Sequence, residues 1–201
     1  MKGADQRQTV DQADARRDQI LEAAAECFRQ KGFHAASMAI ISKTAGMSVG
    51  HIYHYFQNKE AIIAALIVRN SEQLHDVLNA FQAQGDFVNA LLADLPDGLE
   101  RTADREQSAL KLEFIAESAR NSELSCVLNA ADASARQRLS DGLGVSLRAR
   151  GQSDVDLDTK VMLISALFTG LAAKAAQGID ICTDSYARLV RRSIEAILFE
   201  D

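Results

Sequence analysis

The stretch 37–60, SMAIISKTAGMSVGHIYHYFQNKE, constrains this chain most, because three helix-capping residues and a turn glycine are crowded into it. Ser37, Ser48 and Asn58 each carry a short side-chain oxygen that can accept from the free N–H groups of a helix start. Gly46 falls between the first two, where an L-residue would be strained at positive φ. The pattern predicts a short helix after Ser37, a turn at Gly46, a second short helix after Ser48 and a fresh helix start at Asn58. Met38 and Ile41 recur at helical spacing and face inward, and Ile52 and Phe56, one turn apart, hold the second helix down. Val49, Gly50, His51, Tyr53 and His54 are then left facing outward. Two short helices joined in this way are a helix-turn-helix, whose second helix reads the major groove of double-stranded DNA. A small start such as Val49-Gly50 lets the backbone come close to the groove.

The formal net charge of −6 argues against a nucleic-acid partner until its distribution is followed. Residues 1–70 hold nine Lys and Arg against seven Asp and Glu, a balance of +2, and residues 71–201 sum to −8. No acidic residue stands between Glu26 and Glu60, where Arg29, Lys31, Lys43 and Lys59 are joined by His34, His51 and His54. The basic field is local to the predicted reading head, where it steers toward phosphate, and the acidic remainder keeps the other part of the chain off DNA.

Around this centre, residues 1–12 are polar without apolar periodicity and predict a disordered arm. Ile20, Leu21, Ala24, Ala25 and Phe28 predict a helix over 14–31 that buttresses the helix-turn-helix, stopped by Gly32 with Phe33 folding back. The fourth helix, capped by Asn58, is apolar on most sides through Phe81 and links two domains, one of residues 13–58 and one of residues 59–201. Lys59 at its start opposes the helix dipole, a conflict that a phosphate bound there would relieve.

Gly32-Phe33, Ser37-Met38, Ile41, Ala45-Gly46, Ser48-Val49-Gly50, the run Ile52-Tyr53-His54-Tyr55-Phe56, and Asn58-Lys59-Glu60 together resemble the signature of the TetR family of bacterial transcriptional regulators. The resemblance covers residues 16–70. It implies a three-helix DNA-binding domain followed by a helical domain that binds a small-molecule effector and forms a homodimer. Ser37, Met38, Lys43, Ser48, Val49, Gly50, His51, Tyr53, His54 and Lys59 are the implied DNA-binding set, with Tyr53 and Lys59 at backbone-contacting positions. Ala39 and Ile40 depart from the basic and acidic residues usual in the family, which implies one phosphate contact fewer and an exposed apolar Ile40.

The rest of the chain predicts five further helices and no strand, so the fold class is all-α. Asp86 caps a segment broken near Pro96, a second runs over 104–119, and Ser122 caps a long third that Gly142 and Gly144 weaken near its end. In the last two helices Val161, Ile164, Phe168, Leu171 and Ala175 form one stripe, and Tyr186, Leu189, Val190, Ile194, Ile197 and Leu198 form another, read as a homodimer seam. The family architecture places an effector pocket in this bundle, and polar or aromatic groups on apolar faces nominate His75, Phe114, Glu117, Cys126, Met162, Phe168 and Thr169. With no Trp in the chain, a mid-sized and largely apolar ligand fits better than a cation in an aromatic cage. Nucleophile-elbow, phosphate-loop and zinc-helix motifs are all missing, so no catalytic residue, cofactor or metal is expected. A small helical enzyme using Glu113 and Glu117, or a DNA-binding structural protein without ligand, are the alternatives the residues leave open. Cys27, Cys126 and Cys182 have no pairing or metal spacing and read as reduced structural thiols. The polar start and the lack of an 18-residue apolar run predict a cytoplasmic protein with no membrane partner.

Overall fold

All three caps of the central stretch form. Ser37 Oγ accepts from Ile40 N at 3.3 Å, Ser48 Oγ from His51 N at 3.2 Å, and Asn58 Oδ1 from Ala61 N at 2.7 Å. They open α2 (Met38–Thr44), α3 (Val49–Tyr55) and α4 (Lys59–Ala83). Gly46 makes the turn at φ 65°. Before them runs α1 (Lys2–Ala35), broken at Gly32, where φ is 72° and ψ is 164°. The computed structural model describes residues 2–153 and 155–199, with side chains from Gln12 onward. Among these residues there are ten helices and no strand.

The remaining helices are α5 (Phe87–Ala93), α6 (Leu95–Ala103), α7 (Arg105–Ser118), α8 (Ser122–Ala149), α9 (Leu157–Ala176) and α10 (Asp184–Phe199). Several expectations are corrected here. The arm expected to be disordered over 1–12 continues α1 from Lys2 onward, Met1 lying outside the described residues. Extending a helix already nucleated by its buried part adds one bond per residue and needs no apolar face. Pro96 does not merely break a helix; it sits in the first turn of a separate one, where no N–H is required. Asn121, not Ser122, caps α8, its Oδ1 accepting from Glu123 N and Leu124 N. Ile40, expected to be exposed, is half-buried against the core.

Two clusters make the core. One joins Ile20, Phe28, Ile41, Ile52, Phe56 and Ile63 to Leu110, Phe114 and Leu124, so the apolar centre of the N-terminal helices runs on into α7 and α8. The other gathers Phe81, Phe87, Leu99, Leu143, Val161, Ile164, Ile194 and Leu198. Gly142 weakens nothing visible, since α8 runs through it to Ala149. A Cβ there would stand 2.3 Å from Cδ2 of the buried Phe87, which packs edge-on against Phe81 with centroids 5.6 Å apart. Glycine is what lets α5 seat on α8.

Asp86 fastens the same joint. Its carboxylate accepts from Arg150 at 2.6 Å, Ser146 Oγ at 2.8 Å and Asn89 N at 3.2 Å. The Arg150 bond, then Ser146 and Asn89, hold its pKa at about 2 against an ordinary 3.8. A lowered carboxylate pKa contributes stability that is present above 3.8 and lost as pH falls through about 2. Asp86→Asn is therefore expected to be less stable than the parent at neutral pH, with the gap closing across that acidic window. Urea midpoints measured at successive pH values check this.

Candidate functional site

α3 is pinned on one side and open on the other. Ile52 and Phe56 are 0% and 3% exposed, while Val49 and Tyr53 are 36% and 51% exposed. Gly50, His51 and His54 share the open side, and no atom lies within 4 Å of where a Gly50 Cβ would stand. Tyr55 sits between the two imidazoles, 5.4 Å from each ring, edge-on to His54. Ser37, Lys43 and Ser48 are exposed at the rim. Met38 is not on this face: it is half-buried and packs against the core of the head.

The head is stapled by contacts that the sequence pattern did not announce. Gln19 Nε2 donates to Ala45 O at 2.8 Å, at the end of α2. Arg17 lies 4.7 Å from the Phe56 ring centroid and donates to Tyr55 O at 3.4 Å, at the end of α3. Both residues are polar positions ahead of the first buried residue of α1, and nothing in their spacing marks them. Lys59 points back onto the protein. Its ammonium donates to Phe33 O, reaches His34 O at 3.5 Å and lies 4.1 Å from the Phe33 ring centroid. The dipole conflict expected at the start of α4 is thus eased by carbonyls closing α1.

The seven nominated effector residues do not share one surface. Phe114 is buried in the core of the head, and Glu117, 4% exposed, meets His34 and Arg120 at the junction between α7 and the head. Glu113 also lies at that junction, its Oε1 3.1 Å from the Cβ position of Gly32. Cys126 and Met162 are exposed on α8 and α9. His75, Phe168 and Thr169 remain half-buried in the C-terminal bundle. His75 Nε2 is 3.5 Å from Ser71 Oγ, Phe168 Cε1 is 3.8 Å from the Cβ position of Gly98, and Thr169 donates to Ser165 O at 3.0 Å. Lys111 on α7 is exposed, with its pKa pushed down by burial and pulled up by Asp132 on α8.

The dimer stripes also resolve differently. Val161, Ile164, Leu171, Ala175, Val190, Ile194 and Leu198 are buried in the chain's own core. The outward face of α9 and α10 carries Met162, Leu163 and Leu189, each more than half exposed, with open space at Gly170.

With this geometry in place, comparison with known proteins is decisive. Residues 20–66 match the model of the bacterial regulatory proteins of the tetR family, and residues 86–198 match that of the BetI-type transcriptional repressor C-terminal domain. The chain belongs to the TetR family of bacterial transcriptional regulators. It is 31% identical over 173 residues to the HTH-type transcriptional repressor Rv1474c of Mycobacterium tuberculosis, covering 85% of this chain and 87% of that one. It is 34% identical over 120 residues to the HTH-type transcriptional regulator UidR of Escherichia coli K12, a match spanning 58% of this chain and 59% of UidR. The structure of Salmonella enterica GusR superposes with a TM-score of 0.77 at 27% identity, covering 92% of this chain and 95% of that one. TetR-family proteins are DNA-binding regulators and not enzymes, which removes the Glu113/Glu117 enzyme alternative. Members of the family bind small-molecule effectors and act as dimers.

In this TetR-family head Lys59 ties the end of α1 to the start of α4. Loss of one charge-assisted hydrogen bond costs about 1.5–3 kcal/mol, less at a partly exposed site, so Lys59→Ala is expected to lose about 1 kcal/mol of stability, read from chemical denaturation.

Proposed function

We propose that this TetR-family regulator is a dimeric repressor released from a pseudo-palindromic operator by a small molecule. The observation that carries the reading is the α3 face. It is held from behind by the buried Ile52 and Phe56, and it presents the exposed side chains of Val49, His51, Tyr53 and His54. A dimer would place two such helices in successive major grooves, about 34 to 36 Å apart. The outward surface of α9 and α10 with Met162, Leu163, Gly170 and Leu189 supports the partner surface, since bulky apolar groups there are more than half exposed in the single chain.

Within the head, Val49, Gly50, His51 and His54 take the sequence readout. Ser37, Lys43, Ser48 and Tyr53 take backbone phosphates, as does Lys59 through the N–H left over from its two carbonyl contacts. His51 is the base-edge reader, because its ring can both donate and accept in the major groove and is oriented by Tyr55. His51→Ala is expected to cost about 1 to 3 kcal/mol at one operator position and to leave binding to random DNA nearly unchanged, as measured by titration of both duplexes. Equal losses on the two would move the readout elsewhere.

For the effector, His75, Phe168 and Thr169 are the half-buried groups that a ligand in the bundle would meet. A mid-sized, largely apolar molecule oriented by a few polar groups suits them. Compounds that raise the melting temperature in a thermal-shift screen are expected to release operator DNA, and Phe168→Trp is expected to alter that release while sparing operator affinity. Overpacking a closed core instead typically costs about 1 to 3 kcal/mol of stability. A destabilised variant with an unaltered response would take Phe168 out of the site.

A further inference from the structure

Glu117 is the one Asp, Glu, Lys or Arg side chain that is fully buried among the described residues, at 4% exposure. A carboxylate taken from water persists only where its charge is met by well-placed partners. Here they come from two elements. His34 Nε2, from the last turn of α1, lies 3.1 Å from Glu117 Oε1, and Arg120, from the turn between α7 and α8, lies 3.2 Å from the same oxygen.

The pair closes one end of a longer contact. Glu106, Leu110, Glu113, Phe114 and Glu117 follow one another along a single stripe of α7. Leu110 and Phe114 sink into the core of the head, and Glu106 reaches Arg29 Nε at 3.4 Å at the other end. Apolar burial is non-directional and would tolerate a small roll of α1 across α7. The ion pairs at the two ends of the stripe do not, because such a roll would part His34 from Glu117 and leave the buried carboxylate with one partner fewer. The His34 carbonyl and its neighbour on Phe33 are in turn held by Lys59, the residue after the cap that follows α3. A displacement of His34 relative to Glu117 is therefore carried to both ends of the helix-turn-helix.

We propose that Glu117, acting through His34, is the positioning residue that sets the orientation of each reading head on its effector domain, and with it the half-site spacing that the dimer accepts. This rests on the dimeric operator-binding reading above. His34 is 76% exposed by side chain, so its removal leaves the fold intact, with Glu117 still paired to Arg120.

The test uses the full-length protein, an operator selected from random DNA, duplexes with its half-sites moved one or two base pairs closer or further apart, and a duplex with one half-site. One base pair moves a half-site by about 3.4 Å and turns it by about a tenth of a helical turn. The parent is expected to prefer one spacing. His34→Ala and Glu117→Ala are expected to reduce that preference by about fivefold or more, with single half-site affinity within about twofold of the parent, and His34→Gln, which restores a donor, to recover it. An unchanged preference in His34→Ala overturns the proposal. So does a parallel fall in operator affinity, half-site affinity and Tm, the mark of a merely structural role. A parent with no spacing preference overturns the dimeric reading and the proposal together.

Discussion

The seat of α7 against α1 is the contact on which the rest of the structure depends. α2 and α3 have seven residues each, too short to be stable helices alone, so they exist only as far as tertiary packing holds them. That packing is not self-contained. Phe114 and Leu110 of α7 and Leu124 of α8 complete the cluster formed by Phe28, Ile41, Ile52 and Phe56. Burying Phe114 and Leu110 is worth about 1.5–3 kcal/mol for each side chain, a large share of the stability available to a small head. Reading head and C-terminal helices thus share one apolar centre.

A second device recurs across the fold. Every helix leaves its last carbonyls without partners, and in this chain distant cations supply several of them. Lys59 takes the end of α1, Arg17 the end of α3, Arg191 the end of α5 through Leu92 O, Arg105 the end of α9 through Ala176 O, and Lys160 the end of α10 through Leu198 O. Each contact places positive charge at the negative pole of a helix. Each also joins two elements, so satisfying a backbone group and fixing a helix crossing are accomplished by the same side chain. This is one reason the ten helices of the described residues are held together with short links and a single proline in the chain.

What was legible in the sequence was local. The caps at Ser37, Ser48, Asn58 and Asp86 and the stops at Gly32 and Gly46 depend on groups within three or four residues, and each stands where capping chemistry puts it. The inward set Ile41, Ile52 and Phe56 followed from helical spacing. Contacts to a distant carbonyl left no such trace. Lys59 looked like a phosphate-seeking cation because its acceptors lie 25 and 26 residues away, and Glu117 looked like an effector-pocket group because its partner His34 stands far from it in the sequence. Periodicity also cannot say which of two apolar faces of one helix meets the same chain and which meets another. Val161 and Met162 are adjacent and equally apolar, yet only Val161 is buried.

That ambiguity in α9 has a physical resolution. The helix has twenty residues and is apolar enough to span a membrane by length and composition, and a helix this apolar is usually covered on more than one side. One side is covered by α6, α7, α8 and α10. The other, with Met162, Leu163 and the open Gly170, is not. Lys160 is fastened to Leu198 O on α10 and Asp158 accepts from Ser140 on α8, which commits the start of the helix to its own bundle. In a family that acts as dimers, a second copy is the cover that the remaining face calls for. In the proposed reading, Phe168 and Thr169 would lie on the inner side of the helix whose outer side would meet the partner, and a ligand that shifted α9 from within would act on the two-fold contact, with α7, packed against α9 as well as α1, passing the displacement to the reading head.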